Sequence, residues 1–513
     1  MKKMENILIL IFVGIAVILS VVWLIPYKAQ EVNVLSESKL VLYEGPKSLK
    51  TATEADLKAT SEQLRPFDLM KSGNTFLDVN GQSCFVYETN VNHTRQWVST
   101  YMPPISRTPI AYFDFEGRAR LKITVPDITL SEVAISPLKY DIQPEVDVEN
   151  HTVTFDITEP DTYTLTFNAS PDRAFHIFAN PLESEMPNLE DPNVIYIGPG
   201  EWQVDTIDLK DNQTLYLAGG AVLHGTVQAN FAKNVKVMGR GIIDGSFYEG
   251  WKGKVAYIPL KFDNSDGVSI SDIIVLNSNA WVCQAFQSKN GTIDGLKIIS
   301  PRPNGDGITL QSCEDFKVSN VFVRTWDDSL VIKNYGTNSR NISFESCQLW
   351  TDLAQSMEIG YETNKGNLTG SEISQISFRD ITVLNNFHKP VISIHNGDDA
   401  VVHDIVFSNI TIENAQMGSG DGDEMPYLID FHIGQSSNWS TTKARGIIKD
   451  VLVENVAVLN GKFNDSRIQG FDATHKVENV TIRNLTILGQ AIKDGDTGRF
   501  MIDDTTTTNI KFE

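Results

Sequence analysis

Positive charge is scarce in this sequence: 43 lysines and arginines face 65 aspartates and glutamates, for a formal net charge of −22 over 513 residues. A nucleic acid or an anionic membrane needs a basic patch to bind, so the balance argues against both as partners. Cysteine is scarce too. Cys84, Cys283, Cys313 and Cys347 form neither a CxxC pair nor a Cys/His cluster with zinc spacing. No metal and no other cofactor is therefore expected. The four thiols read as small buried hydrophobes in strands, with pairing in an oxidising compartment the alternative. No low-complexity tract is present.

One long apolar run stands apart. From Asn6 to Pro26 the chain reads NILILIFVGIAVILSVVWLIP without a charge, after Lys2, Lys3 and Glu5. That is long enough to span a bilayer as a helix. Lysines ahead of it favour a cytoplasmic N-terminus and export of everything downstream. Residues 1–30 are thus a signal-anchor or a cleaved signal peptide, although Tyr27-Lys28-Ala29 makes a poor cleavage site. The expected location is secreted or cell-surface, with membrane anchoring if the segment is retained. Oligomeric state is not legible.

Residues 31–190 carry short alternating runs such as IAYFDFEG, ARLKITV, HTVTFDIT and TYTLTFN, separated by Gly, Pro and Asp/Asn turns. This spacing predicts a β-sandwich-like domain. PLESEMPNLEDPN (181–193) reads as the linker that follows it.

From residue 191 to 513 one phrase recurs: apolar-x-apolar-x-(Asn/Asp/Ser)-apolar-x-apolar. Its central residues are Val237, Ile270, Ile293, Val318, Phe344, Phe378, Phe407, Val453 and Ile482, spaced 23 to 34 residues apart except for one interval of 46. Such self-similarity marks a solenoid. Period-2 alternation with no amphipathic helical stretch makes it a stack of strands. The polar residue between strand halves (Asp272, Asn320, Asp380, Asn409, Asn455, Asn484) tolerates the left-handed conformation of a sharp corner. The fold class expected is all-β, a parallel β-helix preceded by a β-sandwich.

A second strand aligns in each coil: IPLKF, GITLQS, SLVIKN, SMEIGY, VISIHN and LIDFHI. Leu260, Phe262, Ile308, Leu310, Leu330, Ile332, Met357, Ile359, Ile392, Ile394, Ile429 and Phe431 should point inward. Lys261, Lys333, Glu358, Ser393, His395, Asp430 and His432 should point outward. In this register Asp306 and Asp328 occupy equivalent positions one coil apart, about 4.8 Å by the strand spacing, with Asp327 beside them. Crowded acids raise at least one pKa. A retained proton beside ionised carboxylates is what glycoside hydrolysis requires. The alternative is that Asn-Gly-Asp-Gly and Trp-Asp-Asp are solvated turns.

Asn304-Gly305-Asp306, Trp326-Asp327-Asp328 and the strand ending Val331-Ile332-Lys333-Asn334 resemble the Asn-Thr-Asp, Gly-Asp-Asp and lysine-bearing strand of polygalacturonases, glycoside hydrolase family 28. GRGIIDG (239–245), followed by Trp251, is similar to that family's Gly-x-Gly-x-Ile-Asp-Gly signature. The resemblance covers about residues 193 to 500 and implies a right-handed β-helix. It also implies Asp327 as general acid, Asp306 with Asp328 activating water, and inversion at the anomeric carbon. The chain departs from the pattern twice. Ala354-Gln355-Ser356 stands where polygalacturonases have Gly-His-Gly, and Ser393-Ile394-His395 where they have the Arg-Ile-Lys that grips a substrate carboxylate. The dextranase and isopullulanase family (family 49) also lacks that histidine, keeps three aspartates and carries a β-sandwich ahead of its β-helix, so this chain resembles it as well.

The expectation is a hydrolase of O-glycosidic bonds in a polysaccharide or oligosaccharide, leaning to a neutral glycan. Lys333, Gln355, Glu358 and His395 would serve substrate binding or the ionisation of the acids. His432 is a weaker candidate, and Trp251, Trp281 and Trp326 could stack on sugar faces. Lys261 and Lys333 are the cations expected near the acids, and Arg302 and Arg324 the only arginines. The alternatives are a polysaccharide lyase or epimerase, and a non-catalytic glycan-binding surface protein.

Overall fold

The computed structural model describes residues 38–58, 68–91, 106–247, 257–416 and 427–513. The run Asn6–Pro26 and Trp251 lie outside them. From Leu40 to Glu513 the chain forms one compact unit. Helix among the described residues is limited to Glu54–Lys58 and a 3-10 turn at Leu138–Tyr140.

Two sheets precede the solenoid. One has seven strands, with Ser106–Glu116 and Ser170–Pro181 at its centre and Val133–Ser136 at an edge; the other has five. Alternation places the core between them. In Ala119–Thr124 every second residue is buried, and Leu121 and Ile123 meet Phe113, Phe155, Leu165 and Phe175. The seven-stranded sheet is apolar on its other face as well. Tyr87, Ile110, Tyr112 and Phe178 pack there against Val222, Ile274, Leu276, Ile299 and Phe322 of the solenoid.

The remaining 29 strands form a right-handed parallel β-helix. The nine repeat centres pair in one unbroken ladder, Val237 to Ile270 to Ile293 and on through Phe344, Phe378, Phe407 and Val453 to Ile482. Phe344, Phe378 and Phe407 stack along the bore with centroids 4.8 and 5.0 Å apart, which is the strand spacing expressed in side chains. Each such buried ring contributes about 1.5–3 kcal/mol of transfer free energy.

The corners behave as their chemistry predicts. Asp272, Asn320, Asp380, Asn409, Asn455 and Asn484 all have φ between 50° and 63°. Their amides also hydrogen-bond coil to coil: Asn484 donates to Asn455 at 2.9 Å, Asn455 to Asn409 at 3.0 Å and Asn409 to Asp380 at 3.0 Å. The four cysteines are free and buried. Burial pushes the Cys84, Cys313 and Cys347 thiols up to about 12, as expected of inert core residues.

Candidate active site

The acid-bearing turns sit at the N-terminal ends of consecutive strands of one face. Ile308–Gln311 pairs in register with Leu330–Lys333, which pairs with Met357–Tyr361. Extending those ladders backwards brings Asp306 beside Asp328 and Asp328 beside Gln355. Backbone bonds from Gly307 N to Asp328 O (2.8 Å) and from Ser329 N to Gln355 O (2.9 Å) carry the register through the turns. The glycines flanking Asp306 permit this approach. A Cβ on Gly305 would lie 2.1 Å from Ser300 Oγ, and one on Gly307 would lie 2.5 Å from Ser329 O.

The three aspartates line one cleft of about 460 Å³, together with Trp281, Trp326, Lys333 and Gln355. That volume suits a small-molecule or sugar site. Asp306 is 4% exposed, whereas Asp327 and Asp328 are half-buried at the cleft wall. Asp327 is the best oriented: its carboxylate accepts the N–H of Asn304 at 2.7 Å and of Asp328 at 3.0 Å. Asp328 accepts the N–H of Gln355 at 2.9 Å, so the backbone of Gln355 contacts the acids.

Electrostatics separates these acids from ordinary ones. Burial raises Asp306, Lys333 pulls it partly back, and Asp327 and Glu362 push it up again, leaving it at about 7. Asp328 is driven well above the usual carboxylate range by burial, then by Asp327 and Asp306. Burial alone would lower the Lys333 ammonium, yet Glu362 and then Asp306 hold it well above the usual lysine range. Its Nζ lies 3.5 Å from Asp306 Oδ2 and 3.3 Å from Glu362 Oε2, and 5.4 Å from the Trp281 ring centre. Glu362, fixed by the Tyr335 hydroxyl at 2.8 Å, is a cleft residue that sequence reasoning missed. It stands on no repeated position of the coil.

Beside the acids lies a second ionic cluster. His395 Nδ1 meets Glu358 Oε1 at 2.9 Å and His395 Nε2 meets Asp430 Oδ2 at 3.0 Å. Asp430 receives Arg467 Nε and Nη2, each at 2.8 Å. Burial would keep His395 neutral, but Glu358 and Asp430 raise it to about 10. Asp430 is lowered despite its burial, through His395 and Arg467. Tyr361 stacks on the imidazole at 4.4 Å.

Several expectations change here. The outward-pointing register holds, but outward does not mean exposed: Glu358 is 0%, His395 2% and Asp430 2% exposed. Glu358 lies beneath His395 and does not line the cleft, while His395 and His432 do. Lys261 pairs with Asp263 at 3.0 Å and is not among the lining residues, which include Lys389 and Arg467. Cationic groups at other positions therefore line the cleft in which the Arg-Ile-Lys replacement had read as a loss of charge. Arg324 binds Asp352 at 3.1 Å on the far side of the coil. The position of Arg467 opposite Asp430 was readable from the ladder, had the alignment been carried one coil further. Among the described residues no group of three or more His, Cys, Asp or Glu is arranged to hold a metal ion.

Known proteins share this architecture. The polygalacturonase of Juniperus ashei is 23% identical over 317 residues, covering 58% of this chain and 58% of that protein. That of Brassica napus is 31% identical over 121 residues, covering 21% and 30%. The chain thus spans little more than half the length of such curated relatives, or less. The solved structure of Dex49A from Penicillium minioluteum aligns with a TM-score of 0.64 at 14% identity, over 93% of this chain and 98% of that one. That likeness is one of fold and extends through the sheets ahead of the solenoid. Residues 206–497 match the model of glycosyl hydrolases family 28, and the chain belongs to that family.

Proposed function

We propose that this chain hydrolyses O-glycosidic bonds in a polysaccharide, using Asp306, Asp327 and Asp328. The observation that carries the reading is the convergence of three carboxylates in one cleft, where the two raised acids keep a proton among them near neutral pH. Coupled groups of this kind titrate as a set. Asp327, oriented at the cleft wall by two backbone N–H groups, is the general acid that the family resemblance implies, and it delivers a proton that the coupled set retains. Whichever of Asp306 and Asp328, stacked one coil apart, is ionised takes the proton from the attacking water. Lys333 keeps Asp306 within reach of ionisation. Attack from the face opposite the leaving group gives inversion, which proton NMR of the first-formed anomer reads directly. Retention overturns these roles.

The substrate is a neutral glycan. His395 and Arg467 stand near the position of a carboxylate grip, but each is already bonded to buried Glu358 or Asp430. A charge satisfied by a protein carboxylate has less to offer a substrate carboxylate. Release of reducing ends across a panel holding α-glucans and polygalacturonate tests this. Cleavage of polygalacturonate alone overturns the neutral reading but leaves hydrolysis standing, whereas an unsaturated product absorbing in the ultraviolet overturns hydrolysis. Export, with anchoring by residues 6–26 where that run is not cleaved, completes the proposal and rests on that apolar run. Among the described residues no helix is long and apolar enough to cross a membrane.

A further inference from the structure

A second and larger cavity, of about 920 Å³, opens where the seven-stranded sheet meets the solenoid. Its volume lies at the upper end of the range for ligand sites. One wall is the edge strand Val133–Ser136 and its flanks. The other is formed by the ends of Gln348–Thr351 and Glu372–Asn386 and by the turns after Val401–Ile412 and Ile447–Val458. The two walls are bolted together. Glu413 accepts Ser136 Oγ and Leu138 N, each at 2.5 Å. The cavity is thus preformed.

Its chemistry is that of a carbohydrate site. Leu384 and Phe387 give apolar surface, and Asn385, Asn414, Gln416 and Asn460 supply amides, although Gln416 Nε2 already donates to Asn414 Oδ1 at 2.8 Å and Asn460 Nδ2 to Glu413 O at 3.1 Å, leaving part of each for a ligand. An amide offers a donor and an acceptor together, matching the two faces of a sugar hydroxyl. One of these amides has an acceptor without a partner in the protein. Asn385 is only 5% exposed, and its Oδ1 is buried without a hydrogen-bond partner. Leaving such an acceptor unsatisfied costs about 1–3 kcal/mol, a cost that a bound hydroxyl would remove once the amide turns towards the cavity. The cavity also adjoins the catalytic cleft along the chain: the consecutive residues His388 and Lys389 line the seam and the cleft respectively.

We propose that this seam is a second saccharide-binding site, which holds a stretch of the polysaccharide chain extending from the cleft. The inference rests on the reading of the cleft as a polysaccharide site. It gives the N-terminal sheets a role in gripping substrate, since Val133–Ser136 forms part of the site.

The test uses the full chain carrying Asp327→Asn, so that ligands survive, and calorimetry with maltohexaose, isomaltohexaose and hexagalacturonate and with the trisaccharide of each series. At least one hexasaccharide should bind. Asn385→Ala, which removes the unpaired acceptor, and Asn414→Phe, which fills the cavity, should each weaken it about fivefold. The matching trisaccharide, if held in the cleft alone, should bind unchanged. Equal weakening of both lengths, no weakening of either, or no binding by any of the three hexasaccharides overturns the proposal. Cleavage is scored separately with Asp327 intact. Seam-dependent binding without cleavage overturns the hydrolase reading alone, and cleavage with seam-independent binding overturns the seam alone.

Discussion

Two buried ionic clusters lie side by side on the same face of the solenoid and are built from the same kinds of residue, yet their electrostatics are opposite. Around Asp306, Asp327 and Asp328 like charges crowd, and two of the acids are pushed up towards their neutral forms. In Glu358, His395, Asp430 and Arg467 the charges alternate along the chain of bonds, and His395, Asp430 and Arg467 are all pushed towards their charged forms. Burial opposes the charged form in both clusters, so it does not by itself explain the difference. Order does. Alternation lets each buried charge recover its lost hydration from a neighbour, whereas the acid group has one internal cation, Lys333, shared with Glu362. The first cluster stores repulsion that chemistry can use, and the second is a neutral support.

That contrast can be broken from either side. The largest effect should come from Asp327→Asn, which removes the proton donor and should lower turnover by about 10²-fold or more while substrate binding persists. Near wild-type turnover on the true substrate removes Asp327 from the mechanism. In the alternating cluster, His395→Leu leaves Glu358 and Asp430 buried without their shared cation. Chemical denaturation should show a loss of about 3–5 kcal/mol, and a change under 1 kcal/mol would mean that the alternation is not what supports this face.

The pH profile sharpens the comparison. Asp306 is raised to about 7, so its carboxylate is protonated below that pH and cannot accept a proton from water. The kcat/KM should therefore fall as pH drops through about 7, and Lys333→Met should move that limb to higher pH. A limb near the ordinary carboxylate range in both proteins contradicts the assignment of Asp306.

The smallest effect should be a gain. Asp328→Asn keeps an acceptor for Gln355 N–H and relieves repulsion, so it should raise stability by about 0.5–2 kcal/mol while impairing activity. Because Asp328 is raised in the fold, the native state holds its proton more tightly than the unfolded chain does. The wild-type protein therefore loses stability as pH climbs above the unfolded carboxylate value, and the variant does not. The gap in melting temperature should widen from pH 4 to pH 8, and a constant gap would show that Asp328 is not strained.

Much of this was legible because a solenoid writes its contacts locally. Each coil meets the next, so the period-2 runs and the Asn/Asp corners carried the whole ladder from Val237 to Ile482. Placing Asp306 beside Asp328 needed only that register. Glu362 and Lys389 were missed for the converse reason, since they stand off the repeated phrase, whereas Arg467 keeps the register and lies one strand past the last aligned run. Nor does alternation say whether an outward side chain is covered, which is why the burial of the outward-pointing Glu358 and Asp430 could not be read.

By itself the sequence determined the β-helix, its register and the meeting of three aspartates, since β-strand periodicity and left-handed corners are properties of short segments. Only the tertiary structure decided which charges neutralise one another and how the N-terminal sheets close a cavity against the coils. Those outcomes depend on packing between parts of the chain far apart in sequence, such as Ser136 and Glu413, for which no local pattern exists.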